Sequence, residues 1–358
     1  MTDCNSRTTV HVYDFFAGCG GTSCGFRSAG MEVGFALDHD PDAGASFKAN
    51  FPEAQFERTD IRKVDIEAVQ SRMHQSNPVL FSGCAPCQPY TRQKTTRPRL
   101  DLDERVPLLD CFANLVEKCL PDLVFVENVP GLQKLNACSQ PFGAFVKRLE
   151  GAGYKLDYRP IKLAGYGIPQ TRCRLILMGS RLGRVRLPDE THGPGTANEQ
   201  YVTVRDRIAH LPPIQAGEEH DDVPNHKAAN LSARNLERIK ATPEGGGNRD
   251  WPINLMLKCH RGFSGYSDVY GRMSWDAPAS GLTTRCISYS NGRFGHPEQH
   301  RAISVREAAC LQTFPEDYTF KGSMASMARQ IGNAVPVRLA RLVGLQFIKH
   351  LKDAGGFS

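Results

Sequence analysis

The sequence predicts an α/β protein, a doubly wound and mostly parallel sheet joined to a smaller irregular domain. Three observations predict it. Over residues 10–180 short apolar runs alternate with amphipathic stretches, the pattern of strands separated by helices that cover both sheet faces. Over residues 183–315 the chain is rich in Gly, Pro, Asn, His and Arg and has few long apolar periods. Helical periodicity then returns over residues 327–351, through Ile331, Val335, Leu339, Leu342, Val343, Phe347 and Leu351. A closing helix this apolar needs a hydrophobic partner, and the sheet of the first domain is the expected one. The expected divisions are therefore 1–183, 184–321 and 322–358, the last returning to the first domain. A length of 358 residues also exceeds one ordinary core.

The elements follow in order. Residues 10–16 read as a first strand, followed by a glycine-rich turn and a helix. Residues 34–37 form a second strand ending at Asp38, and 43–51 read as a helix. The run 78–81 is a third strand. Leu108, Leu109, Phe112, Leu115, Val116 and Cys119 fall on one helix face, as do Phe142, Phe145, Val146 and Leu149. Between them the strand 123–126 runs into Glu127, and a further strand at 175–178 follows Gln170-Thr171-Arg172-Cys173-Arg174.

Composition sets bounds. A net charge of +6 permits binding to a polyanion without demanding it. No stretch approaches the roughly 18 consecutive apolar residues of a membrane span. The polar first nine residues lack an apolar signal region, so a cytoplasmic protein is expected. Twelve scattered cysteines without repeated spacing indicate reduced thiols rather than a disulfide scaffold.

Four motifs carry chemistry. In Asp14-Phe15-Phe16-Ala17-Gly18-Cys19-Gly20-Gly21-Thr22-Ser23 a strand enters a glycine-rich turn, which lets a ligand approach the backbone at a helix N-terminus. Asp38, about 20 positions on, stands where a carboxylate can accept from a ribose hydroxyl. Ser23 occupies the third position of the Gly-x-Gly-x-x-Gly pattern, which disfavours a pyrophosphate and favours a smaller nucleoside-containing ligand. The glycines also suit a plain tight turn.

Cys87, between Pro86 and Gln88 just past a strand, is placed to present a thiolate. Cys84 and Cys87 also have a redox or metal spacing, but no second pair supplies the other two ligands of a zinc site, so no metal is expected. Glu127 closes an apolar strand, as a functional carboxylate or an ion-pair partner does. Alternation places Arg172 and Arg174 on one side of a strand, where they suit oxygen-rich ligands or protect an exposed edge.

Taken together and in this order, the motifs resemble the cytosine-C5 DNA methyltransferase family over nearly the whole chain. The matching blocks are Phe16-Ala17-Gly18-Cys19-Gly20, Pro86-Cys87-Gln88, Glu127-Asn128-Val129 and Gln170 through Arg174. Two more lie near the C-terminus, at 306–315 and at Gln330-Ile331-Gly332-Asn333-Ala334-Val335-Pro336. The resemblance implies a Rossmann-like methyltransferase fold with a target-recognition domain, S-adenosylmethionine as methyl donor and duplex DNA as substrate. It implies that Cys87 attacks C6 of a flipped-out cytosine while Glu127 holds N3, Arg174 holds O2 and Arg172 lies nearby. Cofactor contacts would come from Phe16, Gly18, Gly20, Gly21, Asp38, Asp60, Ile61, Pro86, Asn333 and Val335. Of these, Phe16 would pack on the adenine, Asp38 bind the ribose and Asp60 face the adenine amino group.

The irregular region mixes cations with aromatics: Arg249, Trp251, Lys258, His260, Arg261, Tyr266, Arg272, Arg285, Tyr289, Arg293 and Arg301. Such residues contact phosphates and base edges, or serve structure. Arg261, Arg272 and Arg285 are expected on DNA. Thr283 and Thr284 resemble a family segment that contacts phosphate. Gln88, and Arg97 in the segment 93–99 after the nucleophile, are expected to meet DNA as well. A compact chain of this kind implies a bacterial or phage enzyme acting as a monomer, with a cognate restriction endonuclease as a candidate partner. Two rivals stand: a tRNA methyltransferase, whose Cys-Phe-Thr tripeptide is absent, and a DNA-binding protein without catalysis, against which Cys87, Glu127 and Arg174 argue.

Overall fold

A computed structural model describes residues 9–73, 77–85, 107–130, 141–260 and 268–355. In chain order the regular elements are β1 (His11–Phe15), α1 (Gly21–Ser28), β2 (Glu32–Asp38), α2 (Pro41–Asn50), β3 (Gln55–Arg58), α3 (Ile66–Arg72), β4 (Val79–Gly83) and α4 (Pro107–Cys119). Then come β5 (Leu123–Asn128), α5 (Pro141–Gly151), β6 (Lys155–Lys162), β7 (Cys173–Ser180), α6 (Arg205–Ile208), α7 (Ala233–Lys240), α8 (Val305–Leu311), α9 (Met324–Asn333) and α10 (Val337–Asp353).

The seven strands form one sheet in the order β3-β2-β1-β4-β5-β7-β6. Pairing is parallel from β3 through β5, and β7 runs antiparallel to both β5 and β6. The central strands β1, β4 and β5 are buried at every residue, which is why they read as unbroken apolar runs rather than alternating ones. Strand order reverses between β1 and β4, and crevices for ligands open at the carboxyl ends of strands at such a switch.

On one face Phe15, Phe81 and Phe112 pack together, with ring centroids 4.9 Å apart for Phe15–Phe81 and 5.9 Å for Phe15–Phe112. Each such burial stabilises by about 1.5–3 kcal/mol. The glycine at 83 is required there, because a Cβ would stand 2.4 Å from the Phe112 ring. On the other face Phe26 of α1 meets Phe125 of β5 edge-on at 5.6 Å.

Two expectations need correction. Residues 327–351 are two helices, α9 and α10, rather than one. Pro336 lacks an amide hydrogen and drives the preceding residues out of the helical region, and Ala334 is already extended at φ −62°, ψ 144°. Helix α10 packs on α1 as well as on the sheet: Gly25 lies so close that a Cβ would be 2.4 Å from Ala340 Cβ and from the Val337 carbonyl oxygen, while His350 Nε2 lies 2.8 Å from Ser180 Oγ at the end of β7. The edge strands β3 and β6, unmarked by apolar runs, are additional.

The chain forms two compact units. One comprises Met1–Lys162, Cys173–Asp189 and Val337–Ser358, the other Leu163–Arg172 and Glu190–Pro336. Compared with boundaries at 183 and 321, two segments fall differently. Residues 163–172 join the second unit because Thr171 N–H donates to the Ala279 carbonyl at 2.9 Å and Gln170 Nε2 to the Leu311 carbonyl at 2.9 Å. Residues 322–336 join it because Gly332 packs directly on the backbone of Thr283 and Thr284. The second unit has its own core of Ile239, Trp251, Leu255, Tyr289 and Ala302. Among the described residues no helix is long and apolar enough to cross a membrane.

Candidate active site

At the end of β1 the backbone turns through two left-handed residues, Phe16 at φ 64° and Gly18 at φ 55°. A phenylalanine rarely adopts that conformation, and such local strain gathers where a ligand is held. The Ala17 N–H donates to the Leu37 carbonyl at 2.9 Å, and the Gly18 N–H to Asp38 Oδ2 at 2.8 Å. Asp38 Oδ1 accepts from the Asp40 N–H at 2.9 Å, while Asp40 caps α2. The Asp38 carboxylate is thus locked against the turn. Helix α1 starts at Gly21 with no side-chain cap and no acidic residue in its first turn. A Cβ on Gly18 would meet nothing within 4 Å among the described residues, so these leave open space for a nucleoside to approach the turn. Asp60 caps the short helix Ile61–Lys63 and pairs with Arg62 at 2.6 Å, whose hydrogen bond lowers the carboxyl pKa to about 2. Ile61 is buried.

At the end of β5 Glu127 is buried and its Oε1 lies 2.7 Å from Arg174 Nε at the start of β7. Burial pushes the Glu127 carboxyl up, with Arg174 opposing the rise. The antiparallel pairing is what brings them together, since it sets the first residues of β7 beside the last residues of β5, with Asn128 opposite Leu175. Asn128 then donates from Nδ2 to the Ala85 carbonyl at 3.4 Å. The Glu127 carboxyl beside Cys84 and the Asn128 amide at Ala85 therefore flank the last described residues of the chain leaving β4. Cys87, Pro86, Gln88, Arg97, Arg261 and Tyr266 lie outside the described residues.

Cys84, the other thiol of the motif, is partly buried and close to Glu127. Desolvation and the negative charges of Glu127 and Asp14 push it well above the usual thiol range, so it stays protonated and is no nucleophile. Behind it Asp14 is wholly buried. Its Oδ2 accepts from the Ser23 hydroxyl at 2.6 Å, and burial raises the carboxyl to about 6. The sequence reading missed Asp14 as a titrating group, although an acidic residue inside an apolar strand was the signal. Among the described residues no cluster of His, Cys, Asp or Glu gathers as metal ligands do.

The second unit holds the remaining expected residues. Arg172 precedes β7 rather than sharing a strand face with Arg174, and its Nη1 donates to the carbonyls of Leu282 at 2.9 Å and Gly332 at 3.0 Å. Thr283 and Thr284 are partly exposed and Arg285 is exposed. Asn333 is exposed at the end of α9, whereas Val335 is buried.

Arg272 is a correction: it is 2 % exposed and donates all five N–H groups inside its unit, so it is a core arginine and not a phosphate contact. Its acceptors are the carbonyls of Thr242, His296, Gln299 and Ile239 and the His300 ring. Trp251, Tyr289 and Arg301 are likewise buried, and Arg301 pairs with buried Glu307 at 2.7 Å. Arg249, Lys258 and Arg285 are exposed.

Comparisons with known proteins give the family and the fold. The model of the C-5 cytosine-specific DNA methylase family matches residues 10–349. The Type II methylase M.HgiDII of Herpetosiphon aurantiacus is 38% identical over 347 residues, covering 95% of this chain and 96% of its own. The Type II methyltransferase M1.HphI of Haemophilus parahaemolyticus is 30% identical over 97% of this chain and 88% of its own. A crystal structure described as a prophage-encoded DNA modification methyltransferase of E. coli superposes with a TM-score of 0.75 at 22% identity, covering 96% of this chain and all of that one, which supports the fold. The chain belongs to the C-5 cytosine-specific DNA methylase family and is a DNA (cytosine-5-)-methyltransferase.

Proposed function

We propose that the enzyme methylates C5 of a cytosine flipped out of a specific duplex DNA sequence, with Cys87 as nucleophile and S-adenosylmethionine as donor. The observation that carries this reading is the Glu127–Arg174 pair, held beside the chain that leads from β4 to Cys87. Cytosine C5 is a poor nucleophile by itself. Addition of the Cys87 thiolate to C6, with a proton passed from the Glu127 carboxyl to N3, turns C5 into an enamine carbon. A carboxyl raised by burial suits that donation, because it holds its proton nearer neutral pH. Arg174 fixes the Glu127 carboxyl and presents its remaining donors to the cytosine O2.

The bound donor supplies an electrophilic methyl group to C5. Loss of the C5 proton to solvent then restores the C5–C6 double bond and expels the thiolate, and the N3 proton returns to Glu127. The turn residues Phe16, Gly18, Gly20 and Gly21, with Asp38, fit the nucleoside end of that donor: the backbone is open above Gly18 and the Asp38 carboxylate is held in place. Asp60, Ile61, Asn333 and Val335 are proposed as further contacts. Arg285, Thr283, Thr284, Gln88, Arg97 and Arg261 are proposed to meet DNA. The Type II relatives favour a bacterial modification enzyme; action as a monomer, beside a restriction endonuclease that shares its recognition sequence, is part of the same proposal.

Transfer of labelled methyl groups to duplex DNA, with tRNA as the alternative acceptor, tests the reading. Label in DNA, lost in Cys87→Ser, is expected; label in tRNA alone would overturn it.

A further inference from the structure

The first arginine of the Gln170-Thr171-Arg172-Cys173-Arg174 block is bonded in a way that a base-contacting residue does not need. Arg172 and Gln170 sit on a segment that zips against residues 279–282: Thr171 N–H donates to the Ala279 carbonyl, and Ala279 N–H to the Pro169 carbonyl, both at 2.9 Å. Gln170 is fully buried and extends the zip, its Oε1 accepting from the Leu282 N–H at 3.2 Å while its Nε2 donates to Gln312 Oε1 at 2.6 Å. Gln312 in turn donates to the Ala334 carbonyl. Arg172 closes the circuit. Its stem runs along Gly281, where a Cβ would lie 3.1 Å from Arg172 Cβ, and one guanidinium nitrogen holds the carbonyls of Leu282 and Gly332 together. Between those carbonyls there is no slack: a Cβ on Gly332 would stand 2.1 Å from the Thr283 carbonyl oxygen and 2.6 Å from the Thr284 nitrogen.

We propose that Arg172 is a positioning residue whose guanidinium, with the Gln170 amide, clamps the Thr283-Thr284-Arg285 turn onto the end of α9 and so pre-forms the surface that receives the DNA strand. The clamp itself is read from the bonds above. Its purpose rests on the reading that residues 283–285 contact DNA. A turn held by side-chain donors from a distant segment loses no conformational freedom on binding, and pre-organisation of that kind appears as affinity for the strand.

The test compares Arg172→Met and Arg172→Lys with wild type by amide hydrogen exchange on the free protein and by steady-state methylation. Removing charged hydrogen bonds to two carbonyls is expected to speed exchange at 282–284 and 332–334 by about tenfold or more. The KM for DNA should rise by about tenfold, with kcat within about threefold and cofactor affinity unchanged. Arg172→Lys, which keeps the stem and one cation, should fall between the two. Should the Met variant not fold, the Lys variant is read alone, and faster exchange at those residues is expected. Unchanged exchange at both segments, or a loss confined to kcat, would overturn the proposal by making Arg172 a group that acts on the base. Exchange is measured without substrate, so failure of wild type to methylate DNA would refute the functional reading while leaving the clamp result distinct.

Discussion

Glu127 Oε1 and Arg174 Nε are 2.7 Å apart, both largely buried, at the ends of two antiparallel strands. A buried carboxylate paired with one guanidinium and raised by desolvation is a group prepared for proton exchange with a neutral ring nitrogen. Replacing Glu127 by Gln keeps the shape and removes both the charge and the transferable proton. We expect kcat to fall by about 10²–10⁴-fold, the usual worth of a positioned acid or base. Protonated Glu127 is the working form, so the wild-type rate should decline as pH rises through its raised pKa, and that limb should vanish in the variant. Single-turnover methylation across pH checks it.

Asp14 gives a stability prediction of definite sign. Its carboxyl rises from 3.8 to about 6 in the folded protein, chiefly by burial, so protonation favours the fold. The contribution is fully present below about pH 4 and is lost as pH rises past about 6. Asp14→Asn, which still accepts from Ser23, should therefore match wild type near pH 4. By pH 8 it should be more stable by about 3 kcal/mol, two pKa units at about 1.4 kcal/mol each. Denaturant unfolding of both proteins at the two pH values measures the difference.

Arginines of the second unit separate by role. Arg272→Met leaves four carbonyls without their donor and should cost several kcal/mol, at about 1–3 kcal/mol for each buried polar group left unpaired, so the variant unfolds or aggregates. Arg285→Ala should leave thermal stability unchanged, while the slope of log affinity for DNA against log salt falls by about one. Melting curves and a salt titration of DNA binding distinguish them.

The α1–α10 crossing depends on Gly25. Gly25→Ala places a methyl group 2.4 Å from Ala340 Cβ, and the helices must separate. Overpacking of this order costs about 1–3 kcal/mol. Calorimetry should show the loss, and substitution of Ala340 by Gly in the same chain should recover part of it.

Much of the catalytic unit is legible in the sequence because its strands are buried on both faces and end abruptly in polar residues. Asp38 and Glu127 stand out for that reason, and so do the turn glycines. β6 is invisible to the same logic: as an edge strand it is largely exposed and carries Pro160, so neither apolar runs nor alternation marks it. The break at Pro336 was hidden by a periodicity that continues across it, because α9 and α10 each bury an apolar face.

The arginines were the least legible. A core arginine and a phosphate-binding arginine look alike in sequence, since the acceptors that distinguish them are backbone carbonyls. For Arg272 these belong to residues 239, 242, 296 and 299, far from it along the chain. Arg172 misleads in the same way, spaced for a shared strand face yet bonded to Leu282 and Gly332.

Covalent capture by duplex DNA carrying 5-fluorocytosine at the methylated position tests the nucleophile most directly. The fluorine cannot leave as the C5 proton does, so the adduct persists after methyl transfer. Wild type and Cys84→Ser should each yield a denaturation-resistant protein–DNA complex in the presence of S-adenosylmethionine, and Cys87→Ser none. A wild-type enzyme that methylates normal DNA yet forms no such complex, or a Cys87→Ser variant that does, would contradict the account.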